Sequence, residues 1–168
     1  MRGIGAALLM LSSFLAGLLA VQSKRRRIRL LRELAEALAW MVGELAGKRT
    51  PLPELLRNGK LCTTEYALVF FSQLDDSFSQ LGERSFCEMW AEAVDRLPYL
   101  REEERRELYM PGRELGRAEL PRQTAALDAA SRYLKMRLER EEDSFRDERK
   151  LCLSLPAAAG TLLMILLL

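Results

Sequence analysis

The placement of its charged residues constrains this chain more than any other feature of the sequence. Of its 26 basic and 24 acidic residues, only Arg2 precedes Lys24, and none follows Lys150. The segments 3–23 and 151–168 are therefore uncharged, and most of their residues are apolar. Helices of such a length and character can cross a hydrocarbon layer of about 30 Å. The sequence predicts two membrane spans, 1–23 and 151–168, and a charged domain, 24–150, between them.

Other interpretations of the apolar ends fit the sequence less well. A cleaved signal peptide needs a small-x-small cleavage site, and a basic cluster directly behind it would resist export. A buried core helix usually carries some polar residues, whereas a helix lying on the membrane surface needs a charged face. Pro156 lies inside the second segment and predicts a bend there, because proline removes one helical hydrogen bond.

Five of the six residues at 24–29 are basic, in the sequence KRRRIR. A basic cluster beside a membrane span stays on the cytoplasmic side, and Arg149 and Lys150 flank the second span in the same way. We therefore expect a hairpin topology, with both termini outside and 24–150 in the cytoplasm. Anionic lipid head groups are expected contacts of this basic junction. Nucleic acid is not an expected partner, because no aromatic residues interleave the cluster and residues 30–150 carry a net charge of −4.

The central domain has the periodicity of helices. Its first apolar positions recur at spacings of three and four residues, at Ile28, Leu31, Ala35, Leu38, Val42 and Leu45. We expect this first helix to close at Gly47 and a later helix to begin with a capping box between Ser85 and Glu88. The Pro111-Gly112 pair is expected to interrupt a charged helix, and a last long helix is expected from about Leu120 through Lys150. No segment alternates with a period of two, so the predicted fold is all-α, a compact bundle of five to six helices between the two spans.

The sequence offers little to catalysis. It has no histidine, its three cysteines are far apart, and nucleotide-binding and zinc-protease motifs are absent. The carboxylate runs 102–104 and 141–143 are interleaved with arginines and are expected to form solvated faces. We therefore predict no enzymatic activity, cofactor, metal site or small-molecule substrate.

The last third of the chain and its layout carry a family resemblance. The stretch LGRAELPRQTAALDAASRYLKMRLEREEDSFRDERKL precedes a terminal apolar segment that ends in ILLL, and TPLPELL follows the first long helix. Within that stretch, the LG...D/E...Q signature falls on Leu115, Gly116, Glu119 and Gln123. Over essentially its whole length the chain resembles stage III sporulation protein AB of endospore-forming bacteria.

The resemblance implies a fold and a role. The soluble domain would be similar to the helical cytoplasmic domain of type II secretion system protein F, an inner-membrane platform that couples an ATPase to a membrane assembly. The chain would sit in the mother-cell membrane, in a channel-like complex facing the forespore. Its partners would be the AA-type ATPase and other membrane subunits of that complex. Membership of another secretion or pilus machine is the alternative.

Polar faces of the first and last long helices are expected to dock such partners, since charge complementarity sets specificity and rate. The candidate residues are Arg25, Arg26, Arg27, Glu139, Arg140 and Glu142. Three rival classes have separate signatures. A membrane-anchored enzyme needs converging carboxylates with shifted pKa values, a transport hairpin needs polar residues within its spans, and a DNA-binding membrane protein needs affinity that falls steeply with salt.

Overall fold

Six α-helices make up the part of the fold that the structure describes. The computed structural model describes the backbone of residues 2–62 and 65–167, and the side chains of Leu19, 21–61 and 65–146. Within these residues the chain forms no β-strand. The helices are α1 (Arg2–Gly43), α2 (Leu52–Cys62), α3 (Glu65–Ser77), α4 (Phe86–Asp95), α5 (Glu102–Glu114) and α6 (Leu120–Leu167). The predicted all-α bundle is confirmed at the level of helix content and number.

Helices α1 and α6 pack side by side as an antiparallel pair and form the spine of the bundle. The buried hydroxyl of Ser131 on α6 donates to the carbonyl of Ala35 on α1 at 2.8 Å. Helix α5 packs on α6, α4 packs on α5, and α3 joins α4 to α1. Because α1 contacts α6 on one side and α3 on another, its buried stripe is wider than the predicted seam. Its fully buried residues include Leu30, Leu31, Leu34, Ala35, Leu38 and Met41.

An aromatic centre fixes α4 within the core. Trp90 is fully buried and stands edge-on to Phe70 of α3, with 4.9 Å between the ring centroids. Its indole N–H donates to the carbonyl of Leu108 on α5 at 2.6 Å, so that the one polar atom of the ring is satisfied. The predicted capping box between Ser85 and Glu88 begins α4 and is confirmed.

The predicted interruption of α5 at Pro111-Gly112 is wrong. Helix α5 continues through Pro111 and Gly112 to Glu114. Pro111 cannot donate a backbone hydrogen bond to the preceding turn, yet α5 continues for three residues beyond it. A Cβ on Gly112 would lie 2.5 Å from the ring of Trp90, so this glycine permits close packing of α4 on α5. Helix α1 passes at Gly43 into a π-helical turn, Glu44–Lys48, which Arg49 caps, so that the helical segment ends one residue beyond the predicted Gly47.

The predicted domain boundaries at 23/24 and 150/151 fall within the continuous helices α1 and α6. Among the residues that the structure describes, no helix combines the length and the apolar character needed to cross a membrane. Apart from Leu19 and 21–23, the predicted spans lie outside the described side chains, as does Pro156. The two spans and the bend at Pro156 therefore stay predictions.

Candidate functional site

A buried ion-pair cluster joins α1, α5 and α6. Arg27 of α1 is only 9% exposed, although it belongs to the basic run. Its Nη2 pairs with Glu104 of α5, whose side chain is fully buried, and its Nε lies 3.2 Å from Oε1 of Glu141 on α6. Its Nη1 donates to the carbonyl of Tyr99 in the turn between α4 and α5. We call this cluster the Arg27 junction and define it as Arg27, Tyr99, Arg101, Glu104 and Glu141.

Each carboxylate of the junction has a second partner. Glu104 lies in the first turn of α5, and its Oε2 accepts the backbone N–H of Arg101 at 2.8 Å. The guanidinium of Arg101 also contacts Oε1 of Glu141 at 2.8 Å. The cluster therefore contains two guanidinium groups and two carboxylates, and its net charge is zero. Such pairing is what burial demands, since an unpaired charge in the interior is very costly.

Tyr99 has a backbone conformation that few bulky residues adopt. Its φ is +63°, in the left-handed region. Two contacts hold it there besides the bond from Arg27 to its carbonyl. Its ring stands edge-on to Tyr66 of α3 at 6.4 Å, and its hydroxyl accepts a long hydrogen bond from Arg26 at 3.4 Å. That bond raises the pKa of the Arg26 guanidinium, while partial burial raises the pKa of the Tyr66 hydroxyl.

The rest of the basic run also contacts other helices. The guanidinium of Arg25 lies over the ring of Phe145 on α6, 5.9 Å from its centroid. Arg29 pairs with Glu65 at the start of α3 at 2.8 Å, and this hydrogen bond raises the pKa of the Arg29 guanidinium. Much of the positive charge at 24–29 is thus directed to helix packing within the chain. Contact with anionic lipids stays a prediction for the exposed guanidinium groups of Arg25, Arg26 and Arg29.

The six predicted docking residues do not share one environment. Arg25 and Arg26 are exposed, and Arg27 is buried in the junction. Glu142 is half-buried and pairs with Arg32 across the α1–α6 interface. Glu139 and Arg140 are exposed on α6. Their role in docking a partner stays a prediction, and the structure gives Arg27 and Glu142 additional roles in joining helices.

The expectation of solvated carboxylate runs is wrong for Glu104 and needs correction for Glu141. Glu102 and Glu103 are exposed, but Glu104 is fully buried and the side chain of Glu141 is 17% exposed. The reason is helical phase. Glu104 lies on the same face of α5 as the buried Leu108 and Pro111, because the three residues are separated by four and then three positions. This helical spacing could have predicted the burial of Glu104, whereas the number of charges in the run could not.

Two of the concavities formed by the described residues lie away from the junction. One, which we call the distal groove, has a volume of about 630 Å³. Its lining residues are Leu45, Arg49, Thr50, Leu52, Gly116, Leu120, Pro121 and Gln123. Leu45 lies in the π-helical turn that continues α1, 18 residues after Arg27, so the groove lies roughly 27 Å from the junction along the helix axis, at about 1.5 Å per residue.

The second concavity is smaller and polar, at about 270 Å³ between the end of α3 and α4. Glu92 contacts Arg84 at 2.7 Å and also pairs with Arg96 there, and the hydrogen bond from Arg84 lowers the pKa of the Glu92 carboxyl. Oε1 of Gln73, which lines this concavity, is buried and has no hydrogen-bond partner among the described residues. Neither Glu104 nor Glu141 lines either concavity.

The signature residues of the α5–α6 turn now have a structural explanation. Gly116 has a φ of +75°, which glycine adopts without steric cost, and Leu115 is buried. The backbone N–H of Gln123 donates to Glu119, and its side-chain amide donates to Ala118 at 2.6 Å. Together these residues close the turn from which α6 begins.

Fold and site define an all-α protein whose first and last helices are joined through a charged junction. Among known families, the model for stage III sporulation protein AB matches residues 2–168, and the chain belongs to that family. No curated protein and no solved structure gave a significant match. Membership implies a role associated with sporulation.

Proposed function

We propose that this chain is a non-enzymatic platform protein of the mother-cell membrane, in a channel or secretion-like complex that faces the forespore. Its central domain, 24–150, lies in the cytoplasm and couples the AA-type ATPase of the same set to the membrane subunits. Family membership supports the sporulation role, and the uncharged ends support the two anchors.

The observation that carries the proposal is the position of the Arg27 junction. It lies in the central domain, with Arg27 four residues after the predicted end of the first span and Glu141 ten residues before the predicted start of the second. There it ties both helices to α5 and to the turn after α4. A force applied to the bundle would therefore reach both anchors together, as a platform requires. The similarity to type II secretion system protein F is part of this proposal.

The orientation of the domain tests the proposal first. In the full chain, the three native cysteines are replaced and one cysteine is placed at Glu83, in the exposed turn 81–83. In intact cells, a membrane-impermeant thiol reagent should label this site only after permeabilisation. A cysteine at Arg2, predicted to lie outside, is the matched control and should be labelled without permeabilisation. Labelling of the Glu83 site in intact cells would refute the cytoplasmic orientation.

Partner coupling is tested by co-isolation of the AA-type ATPase with the detergent-solubilised full chain. Reversing both charges at Glu139 and Arg140 should reduce the recovered ATPase, because these exposed groups do not support the junction. The control reverses the ion pair of Asp128 and Arg132, about two to three turns earlier on α6. Absence of the ATPase from the wild-type sample would contradict the coupling role. Unchanged recovery with Glu139 and Arg140 reversed would remove these two residues from the docking surface.

A further inference from the structure

The distal groove combines apolar walls with one charged residue at its edge. Leu45, Leu52, Leu120 and Pro121 provide the apolar surface, and Arg49 is the only charged residue among those described as lining it. Its volume of about 630 Å³ falls within the roughly 300–1,000 Å³ typical of ligand pockets. The groove thus offers an apolar contact and a cation side by side.

Arg49 is exposed, and no hydrogen bond or ion pair joins its guanidinium to another residue that the structure describes. Two acidic residues, Glu44 and Glu54, are equally near to Arg49 in sequence, and neither forms an ion pair with it among the described residues. Glu44 pairs with Lys48 at 2.8 Å and accepts the hydroxyl of Thr50 at 3.2 Å, and the hydrogen bond from Lys48 lowers the pKa of the Glu44 carboxyl. The cation at the edge of the groove is therefore available to an anion from outside.

The backbone at Arg49 indicates that its side chain is retained at some cost. It caps the π-helical turn with a φ of +52°, a left-handed conformation that glycine adopts far more easily. Non-glycine residues in such conformations are concentrated at functional sites, where their side chains have a use. An arginine here supplies a charge that glycine could not.

We propose that the distal groove binds an acidic amphipathic segment of a partner protein. An apolar side chain of that segment would lie between Leu45, Leu52 and Leu120, and a neighbouring carboxylate would pair with Arg49. Charge complementarity selects this occupant, and helix-in-groove recognition commonly combines apolar anchors with flanking charges. That the partner is cytoplasmic rests on the proposed function. Under that proposal, the end of the bundle that is remote from both termini faces the cytoplasm.

The test uses the full chain in nonionic detergent micelles and a fluorescent helical peptide. The peptide places leucine and glutamate at spacings of three and four residues, and a counterpart has lysine in place of glutamate. Fluorescence anisotropy, corrected for empty micelles, should detect binding of the acidic peptide alone. Arg49→Glu should weaken that binding by about tenfold, since it removes an attraction and adds a repulsion. Arg57→Glu is the matched control, because Arg57 is exposed on α2 outside the groove, and it should bind like the wild type.

A second variant separates lost binding from misfolding. Arg49→Gly removes the cation but relieves the left-handed backbone, so its unfolding midpoint should equal or exceed that of the wild type while its affinity falls. Equal binding of the two peptides, wild-type affinity in both Arg49 variants, or no binding of the acidic peptide would overturn the proposal. The proposal would also be overturned if the wild-type chain formed cross-linked dimers and Arg49→Glu abolished them, because the groove would then be an interface between two copies of the chain.

The two proposals fail independently. Peptide binding tests the groove whichever side of a membrane it faces, and cysteine labelling tests the orientation whatever the groove binds. ATPase recovery without peptide binding would leave the platform role intact and remove the groove from it. Peptide binding with a domain that labels in intact cells would retain the groove and refute the platform.

Discussion

Neutralising Glu104 should destabilise the bundle far more than neutralising any exposed carboxylate. Glu104 has no exposed side-chain surface, and its partner Arg27 is 11% exposed. In Glu104→Gln the junction would contain two guanidinium groups and only one carboxylate, Glu141. Removing one partner of a buried pair typically costs about 3–5 kcal/mol. Because Glu141 remains 3.2 Å from Arg27 and glutamine still offers an acceptor, we expect a loss of about 2–3 kcal/mol.

A double-mutant cycle isolates the pair. Arg27→Gln alone should cost about 3–5 kcal/mol, because it leaves Glu104 buried with only the N–H of Arg101 as a partner. The double variant should cost less than the sum of the single variants by about 2 kcal/mol. Urea unfolding of the full chain in nonionic detergent measures each value. A Trp40→Phe background leaves Trp90 as the reporter, since its indole bonds to α5.

The exposed i,i+4 pair of Asp128 and Arg132 is the control for this cycle. Its coupling energy should be about 0.3–0.5 kcal/mol, as for other solvated helix pairs. Additive effects at Arg27 and Glu104 within about 0.5 kcal/mol would show that the two charges do not stabilise each other. A Glu104→Gln variant as stable as the wild type would refute the burial argument itself.

Three further predictions concern packing, helix capping and pH. Gly112→Ala should lose about 1–3 kcal/mol of stability, because its Cβ would lie 2.5 Å from Trp90. Gly43→Ala should gain about 0.5–1 kcal/mol, because no atom lies within 4 Å of the added Cβ. Urea unfolding measures the free energy of unfolding of both variants. Ser85→Ala should cost about 1 kcal/mol through loss of the helix cap, measured in the same way. Hydrogen bonding from Ser85 lowers the pKa of the Glu88 carboxyl below its ordinary 4.5. The ionised Glu88 carboxylate therefore contributes its full share of folding stability above about pH 4.5, and this share is lost as the pH falls through the lowered pKa. Unfolding midpoints across that range should therefore fall more in the wild type than in Glu88→Gln, and parallel curves would contradict the assignment.

Local signals predicted the helices well, and long-range relations escaped prediction. The capping box at Ser85 and the start of α6 at Leu120 follow from neighbouring residues, and the structure has both. The close packing of α5 on α4 at Gly112 involves Trp90, which is some 20 residues earlier in sequence. Signals from neighbouring residues in the sequence cannot predict a contact between residues so far apart. The distal groove likewise joins the end of α1 to the start of α6, and a sequence pattern gives no measure of such a distance.

Helical phase explains why the junction charges belong to the interior. On α1, Arg27 lies four and seven residues before the buried Leu31 and Leu34. On α6, Glu141 lies seven residues after the buried Leu134. Each charge thus extends an apolar stripe at helical spacing, as Glu104 does on α5, and three stripes that pack together must bring such charges face to face. Opposite signs are then a condition of burial, because like charges at these positions would be expelled from the core. A basic residue in register with an apolar stripe therefore points to a partner elsewhere in the bundle. Arg27 contacts Glu104 and Glu141, and Arg26, four residues before the buried Leu30, donates to the hydroxyl of Tyr99. Arg25, four residues before the exposed Arg29, lies outside the buried stripe of α1.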